Sequence, residues 1–281
     1  MNPQTAAGID LQQLSESRVQ LHYAIQLIAA TGAALAEPQP DYSHTSLSWN
    51  PQLKLFSGTL IPSTQPFRVA LEPINLTSMI LNSQGNEIAT FPLSHQTLQQ
   101  GLDWLKAEIA KRGANADQVA FLSYPPGDFP EHAIAHGAPF SNSQDLPFKN
   151  LVSFYAVSHT LLEELSTRLD GASPVRIWPH HFDIATLITL PNDSSQTIGV
   201  GMSPGDSSYN EPYWYVSPYP YPDTSCLPNS EGSGFWHTSH WVGAVLTTSQ
   251  LTNSGIESNQ PQVQTFLNSA IKASRGLLAR S

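Results

Sequence analysis

The chain has 281 residues, 40% of them apolar and 12% charged, with a formal net charge of −10 at pH 7. That length and apolar content give a globular chain that buries a substantial core without disulfide staples, as one large domain or two smaller ones. With only 12 lysines and arginines and no basic stripe, nucleic acid and anionic membrane are poor partners, because phosphate binding needs clustered cations.

Residues 12–36 read as a helix stopped by Pro38 and Pro40. The stretch 19–36 has the apolar run and small-residue end of a signal peptide. Asp10 and Glu16 precede it, however, and His22 and Gln26 interrupt it. Leu21, Ile25, Ile28 and Leu35 fall on one helical face, so the reading is an amphipathic helix. No stretch reaches the apolar length of a membrane-spanning helix. Strand-like runs follow at 45–49, 53–61, 67–73, 78–82 and 87–92, the last two joined by a turn at Gln84-Gly85-Asn86. Ser94 opens a second helix, with Leu98, Leu102, Leu105 and Ile109 at helical spacing and Arg112-Gly113 closing it. Residues 114–148, rich in proline, serine, asparagine and histidine, read as a long loop.

The order then repeats. A helix over 151–169 ends at Asp170-Gly171, strand-like runs lie at 175–178, 183–190, 197–202, 213–218 and 241–246, and a helix spans 263–278. The fold class expected is α+β: antiparallel sheets flanked by helices, in two similar helix–strands–helix halves, 1–113 and 149–281, around the 114–148 loop. An internal duplication would explain the order. Pro-Gly-Asp occurs as Pro126-Gly127-Asp128 and as Pro204-Gly205-Asp206, the composition of a type II turn. The one cysteine, Cys226, cannot form an internal disulfide, which fits a reducing, cytoplasmic setting. No lysine or arginine lies near it to activate the thiol.

The polar chemistry clusters in Arg176-Ile177-Trp178-Pro179-His180-His181-Phe182-Asp183 and in Trp236-His237-Thr238-Ser239-His240-Trp241. Adjacent His180 and His181 on a strand point to opposite faces, whereas His181 and Asp183 share one, as a histidine–carboxylate pair would. His132 and His136 are four apart, one helical turn, but the prolines around them oppose a helix, and the glutamate of the zincin motif is absent. His237 and His240, three apart, suit a turn or helix better than a strand. Together His180, His181, Asp183, His237 and His240 have the donor chemistry of a divalent metal site, zinc for example, with a position open to water. The opposing reading is that these imidazoles bond backbone and pack beside Trp178, Trp236 and Trp241.

Between 203 and 215 a Pro-Gly turn leads into the aromatic run Tyr213-Trp214-Tyr215, with Tyr213 and Tyr215 on one strand face and Trp214 on the other. Asp206 and Glu211 would serve as acid, base or ligand if they face the histidines, or as a turn cap and a solvated charge if they do not. The aromatic density suits a small-ligand wall or a partner surface. No nucleophile elbow, phosphate loop or dinucleotide fingerprint is present.

Leu21-His22, His44-Thr45-Ser46-Leu47, Ser173-Pro174-Val175 leading to His181-Phe182-Asp183, and Pro204-Gly205-Asp206 leading to Glu211-Pro212-Tyr213 follow one another along the chain. On these motifs the chain resembles the bacterial domain-of-unknown-function family numbered 5996. The resemblance lends no catalytic residue. It implies that both halves form one unit and that His22 and His44 join the site.

The expected site therefore has His181, Asp183 and Glu211 as catalytic groups and Trp178, Asp206, Tyr213, Tyr215 and Trp241 as ligand contacts. Three function classes follow: a binding module for a small molecule or peptide, a metal-assisted hydrolase-like enzyme, and an interaction protein with no pocket chemistry.

Overall fold

A computed structural model describes residues 10–125, 127–142, 144–229 and 231–279. The fold is α+β, with helices and two antiparallel sheets, as the sequence pattern predicts. The chain divides into two compact units. The N-terminal unit comprises Glu16–Val152 and Arg176–Phe182; the C-terminal unit comprises the described residues up to Ser15, Ser153–Val175 and the chain from Asp183 onward. These limits differ from the expected 1–113, 114–148 and 149–281, because packing assigns 114–148 to the N-terminal unit and returns Arg176–Phe182 to it.

In the N-terminal unit, α1 (Leu11–Ala24, which begins in the other unit) and α2 (Gln26–Leu35) are followed by β1 (Ser48–Asn50), β2 (Leu55–Ser57), β3 (Phe67–Glu72), β4 (Thr77–Asn82) and β5 (Glu87–Pro92). The strands form an antiparallel meander in sequence order. The expected helix has no wet face along its middle: every position from Gln20 to Gly32 is buried, although Gln12, Gln13 and Glu16 nearer its start are exposed. A stretch buried all round lies inside a core rather than on its rim. Gly32 permits this depth, since a β-carbon there would run into the His44 carbonyl. Phe56, Phe67 and Ile80 complete the buried interior.

The β4–β5 turn forms as read, with Gly85 at φ 85°. Next, α3 (Leu98–Lys111) starts after Thr97, whose hydroxyl accepts from the Gln100 amide while the Gln100 side chain accepts from the Thr97 amide. This reciprocal cap, rather than Ser94, sets the start. The 114–148 stretch is packed chain: Phe140 exchanges backbone bonds with His95 and Gln96, and Val119, Ile134, Phe140 and Phe148 are buried. β6 (Arg176–Ile177) ends the unit's contribution, with Leu47 and Ile177 exchanging backbone hydrogen bonds.

The C-terminal unit holds most of α4 (Asp145–Arg168), then β7 (Ile184–Leu190), β8 (Asp193–Ser203), β9 (Tyr213–Tyr219), β10 (Phe235–His237), β11 (Gly243–Thr247) and α5 (Gln260–Leu278). These strands lie in the order β10-β11-β9-β8-β7, all antiparallel. On one face, fully buried Trp214 packs against Phe154 of α4 and donates its indole N–H to Ser158 at 3.0 Å. A buried tryptophan removes about 150–250 Å² from water, on the order of 5 kcal/mol as an upper bound. Buried Val263, Phe266, Ala270 and Ile271 give α5 its core stripe. The opposite face carries Tyr213 and Tyr215.

Candidate functional site

Strand alternation turns Tyr213 and Tyr215 of β9 to one side, with ring centroids 6.2 Å apart. The Tyr215 hydroxyl donates to Asp183 Oδ2, just before β7, in a short hydrogen bond. The Tyr213 hydroxyl donates to Asp206 Oδ2 at 2.5 Å. Asp206 is held in turn by its other oxygen, which accepts from the amides of Ser208 and Tyr209. Gly205 at φ 111° makes the turn that places it. Beneath Tyr215 lies Gly201 of β8. A β-carbon there would sit 2.6 Å from the Tyr215 hydroxyl and 2.7 Å from the Ile184 carbonyl. The missing side chain is thus the space that Tyr215 fills.

Tyr209, in the loop before β9, packs on Tyr213 at 5.0 Å and its hydroxyl meets His237 Nδ1 at 2.8 Å. His237 lies on β10, opposite Gly243, and its Nε2 meets the Ser239 carbonyl at 2.5 Å. A neutral imidazole satisfies both partners, donating from Nε2 and accepting at Nδ1. His237 stacks on Trp241 at 4.3 Å and 25°, and Trp241 meets Tyr215 edge-on at 6.5 Å. The five rings therefore close a circuit: Tyr215, Tyr213, Tyr209, His237, Trp241 and back to Tyr215.

Burial first, then the Asp183 charge and the hydrogen bond to it, push the Tyr215 hydroxyl well above its usual range. Burial, then the Asp206 charge, does the same for Tyr213. Both tyrosines thus stay protonated donors, and neither serves as a base near neutrality.

No protein-family model, curated protein or solved structure matches this chain.

The remaining expected residues lie as follows. Trp178–Phe182 is a turn, not a strand: the Phe182 amide donates to the Trp178 carbonyl at 2.7 Å, and Phe182 has φ 58°. The strand starts only at Ile184. The expected strand face shared by His181 and Asp183 therefore does not exist, and the chain passes between units after Phe182. His180 contacts His181 at 4.3 Å and Trp178 at 6.5 Å. Glu211 is neither free acid nor base in its setting: both its oxygens bind Ser249, through backbone N–H and hydroxyl. His240 is exposed with φ 68°, and His237 lies on a strand rather than in the turn or helix its spacing suggested. Among the described residues no three histidine, cysteine, aspartate or glutamate side chains gather to hold a metal ion. The ligand set His180, His181, Asp183, His237 and His240 thus does not assemble; both ring nitrogens of His237 are already engaged. His132 caps a short 3-10 turn, Ala133–His136, and His136 meets Glu131, so that pair shares no helical face.

The N-terminal unit holds a second imidazole cluster. His22 of α1 meets the Pro179 carbonyl at 2.9 Å through Nε2, and Gln26 donates to the same carbonyl at 2.9 Å. Tyr124 donates to Gln26, and Phe129 stacks on Tyr124. Burial lowers His22 from 6.5 to about 3 against the opposing pull of its bond to Pro179, so the ring is neutral. His44 accepts from the Gln39 amide and stacks on Tyr42. A cavity of about 650 Å³ opens beside α5, bordered by Cys226, Asn268 and Lys272, and none of the expected residues lines it.

Sequence reasoning missed Tyr209 and Gly201. The signal for Tyr209 was its distance of four residues from Tyr213. For Gly201 it was a glycine inside a strand, a mark of close approach. No helix among the described residues is long and apolar enough to cross a membrane.

Proposed function

We propose that the protein is a small-molecule binding module whose site is the aromatic face of the C-terminal unit. The observation that carries this is the closed circuit of five rings bounded by two tyrosine–aspartate pairs. Aromatic walls with a few fixed polar groups are the usual make-up of ligand sites. The three tyrosine hydroxyls, both carboxylates and the His237 ring are each oriented by a partner, so little order is lost when a ligand enters. The engaged state of Glu211 and His237 favours binding over acid–base catalysis. A reducing, cytoplasmic setting remains part of this reading, supported by the single cysteine.

The test is thermal shift of the full chain against a chemically varied panel of small polar compounds, alongside Trp241→Leu. At about 100 times its dissociation constant a ligand adds about 2.7 kcal/mol, on the order of 5 °C for a chain this size. At least one compound should raise the midpoint of the native chain and not that of the variant. A panel spanning anions, cations and neutral compounds that leaves the native midpoint unmoved would sink the proposal.

A further inference from the structure

The circuit has a chemistry of its own beyond being apolar. Aromatic rings present a negative π face, and cations settle over it within about 6 Å of the ring centre. The five centroid steps run 6.2, 5.0, 5.6, 4.3 and 6.5 Å. A five-sided ring of such steps has its middle roughly 5 Å from each corner, inside that reach. The rings do not stack as a pile: four of the five pairs cross at 54–77°, and only His237 and Trp241 lie nearly flat together. Tyr209, Tyr215, His237 and Trp241 are half-buried, while Tyr213 is buried and forms the floor.

Charge points the same way. Asp183 and Asp206 each hold a tyrosine of the circuit, and their charges are felt by both tyrosines. From Arg176 to Lys272 the sequence contains no lysine or arginine, while Asp183, Asp206 and Glu211 all fall within that span. Strands β9, β10 and β11 and the loops beside them, which carry the circuit, thus offer an incoming cation no lysine or arginine to displace or repel. An anion would meet π faces and carboxylates with no compensating charge.

We infer that this site recognises an alkylated ammonium group, with the five rings enclosing its methyl groups and Asp183 and Asp206 answering its charge. The inference rests on the binding reading above and names the ligand class for that same site. A quaternary head group suits it because it donates no hydrogen bond, and here the Tyr213 and Tyr215 hydroxyls are already committed to the carboxylates. Its charge is spread over methyl surfaces that pack on rings.

Isothermal titration of the full chain with choline chloride, and with its uncharged isostere 3,3-dimethylbutan-1-ol, separates charge from shape. Choline should bind, the isostere about tenfold or more weaker, and added salt should weaken only choline. Asp183→Asn keeps an acceptor for Tyr215 and removes one charge, so it should weaken choline severalfold and leave the isostere unchanged. Should Trp241→Leu fail to fold, this variant carries the test. A peptide bearing trimethyllysine offers the same head from a protein chain; tighter binding of either probe than of its neutral counterpart supports the inference, and the tighter of the two names the source. Equal affinity for charged and neutral probes overturns it, as does absence of choline and peptide binding. If the wider panel then yields a neutral or anionic ligand that needs Trp241, the binding module stands and only the cation assignment falls; if the panel yields nothing, both fall.

Discussion

Gly201→Ala tests the packing that places Tyr215. The added β-carbon would lie 2.6 Å from the Tyr215 hydroxyl, 2.7 Å from its Cζ and 2.7 Å from the Ile184 carbonyl. The carbonyl belongs to the backbone of the adjacent strand and yields little, so Tyr215 has to move off Asp183. Overpacking of this kind costs about 1–3 kcal/mol, and loss of a hydrogen bond to a charged group adds roughly 1.5–3. The lower backbone entropy of alanine returns about 0.5–1, leaving a net loss of roughly 1.5–5.5 kcal/mol. Gly199 is the internal control. It is two residues away on the same strand, and a β-carbon there meets nothing nearer than 3.9 Å. Gly199→Ala should be neutral or stabilise by up to about 1 kcal/mol. Urea unfolding midpoints of the two variants read the difference. Equal midpoints would mean that Gly201 does not hold the space for Tyr215 and that some other contact places that ring.

Other expectations follow from the same contacts. The His22 ring has a folded value of about 3 against 6.5 when free, so the unfolded chain takes the proton first. Stability present above about 6.5 is therefore lost as pH falls toward 3, at up to about 1.4 kcal/mol per pH unit; His22→Gln should flatten this slope, and parallel slopes would contradict the buried neutral ring. Ser158→Ala leaves the buried Trp214 N–H without its partner and should cost about 1–3 kcal/mol by denaturation. Thr97→Ala removes the α3 cap and should cost about 0.5–2 kcal/mol, whereas a loss below the error of the measurement would place the helix start elsewhere.

Much of the fold was legible because short-range rules governed it. The apolar spacing of α3 and the turn between β4 and β5 depend on residues within a few positions of each other, and both form. What failed depended on distant partners. The helix around His22 looked amphipathic because its polar residues suggested a wet face, yet Gln20, His22 and Gln26 all find partners after burial: Glu16 and the Ser141 amide for Gln20, the Pro179 carbonyl for His22 and Gln26. The Trp178–Phe182 turn has no glycine to announce its positive φ. Phe182 adopts it while its ring packs, fully buried, on Phe56 and beside His22. β10 escaped notice because three residues are too few to show alternation. At the site, the face shared by Tyr213 and Tyr215 followed from strand period alone. The joining of Tyr209, His237 and Trp241 required two loops and a strand to meet, and no local pattern encodes that.

The allotment of Arg176–Phe182 to the N-terminal unit has a consequence for how the protein is made. That unit draws on residues up to Val152 and then on a piece that emerges only after Ser153–Val175 has been translated. On the ribosome it stays incomplete until Phe182, its last buried ring, leaves the exit tunnel. Most of α4 must meanwhile wait for strands of the C-terminal unit not yet synthesised. Neither unit is a continuous stretch of gene, so a stop or a cut anywhere between 153 and 182 strands parts of both, and the two mature as interleaved rather than successive events.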